Sequence, residues 1–151
     1  MRGSPPSVFP HSPLLPRGKV PAIIRLVARE RILAVDDDPR ILEILKNALA
    51  DAGYEVRVIT NPKETLDLAS EFRPDVIILD IAMPLMDGFQ VAARIQADPA
   101  LKDTPLMFLT AWNSTANLRK AQELQAAAYV EKPFQKEAFL GLLKQILSRP
   151  K

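Results

Sequence analysis

Apolar positions follow two alternating rhythms from residue 31 onward. Short, nearly unbroken runs stand at 31–35 (RILAV), 54–59 (YEVRVI), 75–79 (DVIIL), 105–109 (PLMFL) and 127–130 (AAYV). Each is too short for a helix and is followed by turn residues, so the pattern predicts five strands. Between them the spacing changes. Ile41, Leu42, Ile44, Leu45, Ala48, Leu49 and Ala52 recur at i, i+3, i+4 and i+7, which paints one face of a helix, with Asp38-Pro39 as its start and Gly53 as its end. Asn61-Pro62-Lys63-Glu64 reads as cap, first position and capping-box glutamate of a second helix. Phe139, Leu140, Leu142, Leu143, Ile146 and Leu147 give the last helix its apolar face. Five βα units in succession specify an α/β fold, a doubly wound five-stranded parallel sheet with helices on both faces, because parallel strands need crossovers and are buried on both sides.

This pattern accounts for residues 31–148 as one domain, and a chain of 151 residues with 48% hydrophobic content can bury one core of ordinary size. No apolar run approaches the roughly 20 residues of a membrane helix, and prolines interrupt the region where a secretory signal would be apolar. The cytoplasm is therefore the expected location, with no membrane partner. The chain has no cysteine, which excludes disulfides, thiolate metal sites and a cysteine nucleophile.

Charge is distributed unevenly. Residues 1–31 carry six Lys or Arg against one acid, Glu30, whereas residues 32–151 carry 14 basic and 17 acidic residues. The basic surplus thus sits in a leader holding six prolines in its first 21 residues, which blocks helix and strand propagation. Residues 1–30 are expected to form a flexible tail. Its opening Met-Arg-Gly-Ser resembles an expression leader, and without regularly spaced aromatics or arginines it is not expected to dock on nucleic acid.

In an open α/β sheet, ligands bind at the carboxyl ends of the strands, near the point where strand order reverses. Asp36 and Asp37 follow the first run, Asp80 the third, Thr110 the fourth, and Lys132 stands just past the fifth. Three carboxylates, a hydroxyl and an ammonium thus reach one sheet edge. Two carboxylates about 4 Å apart repel by about 4 kcal/mol at an effective dielectric of 20, so the cluster calls for a cation. With oxygen donors and neither Cys nor His nearby, the hard ion Mg²⁺ suits it. A carboxylate nucleophile beside a metal, a lysine and a hydroxyl makes a site that accepts a phosphoryl group. Taken singly, each residue has a plainer role as a helix cap, turn former or solvated charge; their convergence on one edge favours the site.

The residues that carry this chemistry also carry a resemblance. "ILAVDDDP" (32–39), "DVIILDIAMPLMDG" (75–88), "LTA" (109–111) and "YVEKPF" (129–134), with 30 residues from Asp80 to Thr110 and 22 from Thr110 to Lys132, resemble the response-regulator receiver domain of two-component systems, a flavodoxin-like, CheY-like fold. The resemblance implies that Asp80 is the phosphoacceptor. It also implies that Asp37 ligates Mg²⁺ directly, that Asp36 holds it through water, and that the Ala82 backbone carbonyl adds a ligand. Lys132 would pair with the phosphoryl oxygens, its bond to Pro133 being cis. Thr110 would bond the phosphoryl group while Tyr129 swings inward behind it, reshaping the face of helix four, strand five and helix five. The partners implied are a sensor histidine kinase or histidine phosphotransfer protein and a downstream target protein, with room for a homodimer through that face. The chain would then be a signalling receiver rather than an enzyme, catalysing only its own phosphoryl transfer and slow loss.

The resemblance has departures. Gln125-Ala126-Ala127-Ala128 replaces a usual Gly-Ala pair before the aromatic, so the turn into the fifth strand is expected to differ. Ala82 and Trp112 stand two residues past Asp80 and Thr110, positions that tune phosphoryl lifetime in this family, and neither is an acid or an amide. Other classes fit less well. A haloacid-dehalogenase-like phosphatase wants a second aspartate at position 82, and a nucleotide-binding enzyme wants clustered glycines, whereas Gly3, Gly18, Gly53, Gly88 and Gly141 are scattered singly. The remaining alternative is a docking module that keeps the fold without signalling by phosphorylation. Because the last helix is expected to run out at Ser148, no output domain is expected within this sequence, and output would pass through protein contact unless the sequence is a piece of a longer protein.

Overall fold

The computed structural model describes residues 29–149. The tail expected over residues 1–30, with His11, lies almost wholly outside them. The described elements are β1 (Arg31–Val35), α1 (Pro39–Asp51), β2 (Glu55–Ile59), α2 (Thr65–Phe72), β3 (Val76–Leu79), α3 (Gly88–Ala97), β4 (Leu106–Thr110), α4 (Thr115–Glu123), β5 (Ala128–Glu131) and α5 (Lys136–Leu147). The five strands pair in parallel in the order β2-β1-β3-β4-β5. This is the doubly wound α/β sheet that the alternating pattern predicts.

Alternation along each strand builds two cores. Ile32 and Ala34 of β1, Val76 and Ile78 of β3, and Met107 and Leu109 of β4 pack with Leu42, Leu45 and Leu49 of α1 and Phe139, Leu143 and Ile146 of α5. The intervening Leu33, Val35, Ile77, Leu79 and Phe108 pack on the other side with Phe72 of α2, Phe89, Ala92 and Ile95 of α3, and Ala121 of α4. Since successive strand residues point to opposite faces, a run with no polar member is what a strand between two helical layers requires. Burying each Ile or Leu contributes about 1.5–3 kcal/mol, so a polar residue in the run is costly until the strand ends at Asp80.

Helix termini follow from local chemistry. The Asp38 side chain caps α1 by accepting from the Arg40 amide, Pro39 occupies the first turn, and Gly53 reverses the chain with φ 98°. The second helix starts differently from expectation. Pro62–Glu64 form a 3₁₀ turn, with the Glu64 amide bonded to the Asn61 carbonyl, and α2 begins only at Thr65. Asn61 Oδ1 accepts from the Lys63 amide at 3.0 Å, and the buried Thr65 hydroxyl donates to the Pro62 carbonyl at 2.8 Å. That tighter winding puts the Glu64 amide on the Asn61 backbone, so the expected capping box does not form. A full capping box does stand at α3, between Asp87 and Gln90.

The turn into β5 is set by how α4 ends. The Gln125 amide bonds to the Gln122 carbonyl and the Ala126 amide to the Ala121 carbonyl, the paired closure of a Schellman motif, and Gln125 takes the left-handed conformation with φ 57°. Glycine takes that conformation without the steric cost that a glutamine bears.

Candidate functional site

Sheet order places the site. From β1 the chain crosses to β2 on one side and returns to β3 on the other, so the carboxyl ends of β1 and β3 flank the point of reversal. The Asp80 amide donates to the Val35 carbonyl (3.0 Å) and the Asp36 amide to the Ile59 carbonyl (3.2 Å), which extends the ladder and holds both backbones beside one another. Asp36 and Asp80 are buried; Asp37 is exposed. One carboxylate oxygen from each of the three lies within 4.8 Å of the others.

Asp36 is already engaged on both oxygens. Oδ1 accepts from the Asp38 amide at 2.9 Å, and Oδ2 lies 2.7 Å from Lys132 Nζ. The same ammonium is 3.7 Å from Asp80 Oδ2. Lys132 is carried there by the β5–α5 connection, where its amide donates to the Thr110 carbonyl and its peptide bond to Pro133 is cis, as the resemblance implied. Burial pushes the Asp80 carboxyl up to about 6. The Asp36 charge adds to the rise, Lys132 and a hydrogen bond from Thr110 oppose it, and Asp37 adds a smaller increment. The edge is thus short of positive charge by its own residues.

Oxygen-only donors and a carboxyl that resists ionising fit a hard divalent cation. Asp37 and Asp80 offer carboxylate oxygens. The Ala82 carbonyl accepts no backbone hydrogen bond among the described residues, which leaves it available as a ligand. The loop bearing Ala82 is held by Gly88, whose amide donates to the Ile81 carbonyl at 2.9 Å. A Cβ at position 88 would come within 2.2 Å of the Asp80 carbonyl oxygen, so only glycine fits. Leu85, at the loop's exposed tip, takes φ 72°.

Thr110 is fully buried as the last residue of β4 rather than the first residue after it, and its Oγ1 accepts from the Trp112 amide at 3.0 Å. Tyr129, half-buried on β5, donates its hydroxyl to the Trp112 carbonyl at 3.1 Å. The Trp112 indole itself is 55% exposed, and Ala82 is exposed. The structure therefore brings together Asp36, Asp37, Asp80, Thr110 and Lys132, with Tyr129 behind Thr110.

Comparison with known proteins identifies the family and the fold. Residues 32–144 match the family model of the response regulator receiver domain. The chain belongs to that family. The receiver is 35% identical over 119 residues to the response regulator MprA of Mycolicibacterium vanbaalenii, covering 79% of this chain and 51% of that one. It is 37% identical over 126 residues to a Guillardia theta protein described as "Probable transcriptional regulator ycf27", covering 83% and 48%. The chain spans about half the length of these curated relatives. Among solved structures, Vibrio cholerae chemotaxis protein CheY4 superposes with a TM-score of 0.75 at 34% identity, over 79% of this chain and 99% of that one. The non-phosphorylated HemR receiver domain of Leptospira biflexa gives 0.75 at 32% identity, over 82% and 98%. Membership makes this a signalling receiver of two-component systems, a class that works with histidine kinases, and not a classical enzyme. No helix among the described residues is long and apolar enough to cross a membrane.

Two features of the site escaped the sequence reading. Asn117, in the first turn of α4, is buried and donates Nδ2 to the Trp112 carbonyl at 3.1 Å. Its sole sequence signal is its place three residues after Ser114, the N-cap of α4, whose hydroxyl takes the Asn117 amide. Gly88 stands in the sequence as one of five scattered glycines, and its close approach to the Asp80 backbone appears only in three dimensions.

Proposed function

We propose that this receiver accepts a phosphoryl group on Asp80 from the phosphohistidine of a sensor kinase or histidine phosphotransfer protein, and passes the event to a downstream protein through the face of α4, β5 and α5. The observation that carries this reading is a buried Asp80 carboxylate with Lys132 Nζ at 3.7 Å and two further acids around it. An Asp80 oxygen attacks phosphorus as the phosphorus–nitrogen bond of the donor breaks, and the imidazole leaves with that electron pair and takes up a proton. Lys132 is placed to meet the negative oxygens of the transferred group. Mg²⁺ bound by Asp37, Asp80 and the Ala82 carbonyl, with Asp36 acting through water, would supply the positive charge the edge lacks.

Thr110, whose Oγ1 takes the Trp112 amide, keeps its own proton free to donate, and Tyr129 bonds the same loop. These contacts favour them as the coupling pair between the acceptor and the α4–β5–α5 face, which also offers a surface for a homodimer. Ala82 and the exposed Trp112 present no acid or amide to hold an attacking water, so the acyl phosphate should be long-lived. We assign residues 31–148 to the receiver and residues 1–30 to a tail, with a cytoplasmic location, and give the receiver itself no nucleic-acid contact.

Incubation with Mg²⁺ and acetyl phosphate, followed by intact mass measurement, tests the reading. One phosphoryl group on the wild type and none on Asp80→Asn is expected. An unmodified wild type would leave the docking-module reading in its place.

A further inference from the structure

The loop from β4 to α4 is fixed in an unusual way. Trp112 sits at its centre, yet its indole is more than half exposed, so apolar packing does little to hold it. What holds it is its backbone, through both its amide and its carbonyl. Thr110 Oγ1 accepts its amide, while Asn117 Nδ2 and the Tyr129 hydroxyl both donate to its carbonyl. Side chains from β4, α4 and β5 thus meet on one residue and use both lone pairs of that oxygen. Of the two donors Asn117 is the buried one, and a buried amide that loses its partner costs more than an exposed hydroxyl that can turn to water.

This geometry bears on the acceptor. Thr110 can present its proton toward Asp80 while Trp112 occupies its lone pair, so the hydroxyl's aim depends on where the Trp112 peptide lies. Asn117 bonds the carbonyl of the same residue, one peptide group further along the chain. We infer that Asn117 is a positioning residue of the switch: its amide latches the Trp112 carbonyl and holds the β4–α4 loop where Thr110 and Tyr129 can both engage, raising the population of the phosphoryl-competent arrangement. The inference rests on the acceptor role proposed for Asp80. Because the apparent dissociation constant is the intrinsic one divided by the competent fraction, loosening the latch weakens every ligand that needs it.

Beryllofluoride with saturating Mg²⁺ is the probe, read in the full chain by the fluorescence of Trp112, the only tryptophan. Asn117→Asp keeps the shape and removes the donor; Asn117→Ala removes the side chain without adding a buried charge. Each should raise the half-saturating beryllofluoride concentration at least about fivefold, the lower end of ordinary coupling between sites. Ser114→Ala is the control, since it strips the helix cap without touching the Trp112 carbonyl, and should leave half-saturation within about twofold of wild type while lowering Tm. If Asn117→Ala lowers Tm yet binds within about twofold of wild type, or if Ser114→Ala shifts binding as much, Asn117 only stabilises α4 and the inference is overturned. A wild type that neither binds beryllofluoride nor gains mass from acetyl phosphate overturns the acceptor reading itself, and this inference with it.

Discussion

The two edges of the sheet handle buried charge in opposite ways. At the amino edge, Arg31 opens β1 almost fully buried. Its amide donates to Asp75 Oδ2 (2.8 Å), its Nη1 to the Phe72 carbonyl (2.8 Å), its Nε lies 3.4 Å from Glu55, and its guanidinium stacks 5.5 Å from the Phe72 ring centre. The guanidinium is thus engaged at Nε, at Nη1 and on its face. At the carboxyl edge, three acids cluster around one ammonium that pairs with Asp36 and Asp80, and Asp80 titrates near 6 because burial and Asp36 outweigh Lys132 and Thr110. One edge is electrostatically closed and holds the sheet together. The other holds unbalanced charge, which is what a site awaiting a cation and a phosphoryl group needs.

Removing the central charge at each edge should therefore act in opposite directions. Arg31→Met removes the buried guanidinium, leaving the Phe72 carbonyl without its charged donor and Glu55 without its cation while Asp75 keeps the backbone amide, and should cost about 4 kcal/mol in a urea titration, the loss of a charge-assisted bond together with an orphaned buried carbonyl. Unchanged stability would show that the amino edge is not closed by Arg31. Next in size, Gly88→Ala forces a methyl into the Asp80 carbonyl and should cost about 3 kcal/mol, whereas Gly141→Ala, where a Cβ meets nothing within 4 Å, should stabilise α5 slightly.

Asp80→Asn should do the reverse of Arg31→Met and stabilise the metal-free protein. The folded carboxyl titrates above its ordinary value of 3.8, so the native state holds the proton longer than the unfolded chain. Its contribution is complete below about pH 3.8, is lost as pH rises to about 6, and stays lost above that. The rise corresponds to about 3 kcal/mol, and the asparagine forgoes part of the Lys132 and Thr110 contacts, so a gain of about 2 kcal/mol at pH 8 is expected. Thermal melts of both proteins from pH 4 to 8 should converge toward the acid end. Millimolar Mg²⁺ should raise the wild-type Tm more than that of Asp80→Asn, since ligation stabilises only the state that binds. Parallel melts across pH would count against the charge imbalance. The smallest effect belongs to the turn before β5: Gln125→Gly relieves a left-handed glutamine at the amino edge and should gain about 1 kcal/mol, with acyl phosphate formation unchanged because the acceptor is at the opposite edge.

Much of this was legible because it is local. Unbroken apolar runs marked the central strands, and the period-3.6 pattern of Leu42, Leu45 and Leu49 marked the buried face of α1. The acids and the threonine at strand ends could be assigned to one edge because parallel topology sends every strand's carboxyl end the same way. The tight turn before α2 was not legible, since the residues that favour an N-cap also suit a 3₁₀ turn, and the Thr65 bond to Pro62 chose between them. Arg31 counts in the sequence as one more charge of a basic leader, and nothing there singles out Asn117, because their partners are supplied by other elements.

The order of residue types alone determined the fold class, the edge at which chemistry gathers and the residues delivered there, since hydrophobic period and strand direction are properties of the chain itself. Only the tertiary structure decided how those residues are balanced. It set that Lys132 sits closer to Asp36 than to Asp80, that Gly88 leaves no room for a side chain, and that three side chains from separate elements grip the Trp112 backbone. Such contacts depend on distances across the sheet, and an interaction between residues far apart in sequence leaves no periodic trace in either one.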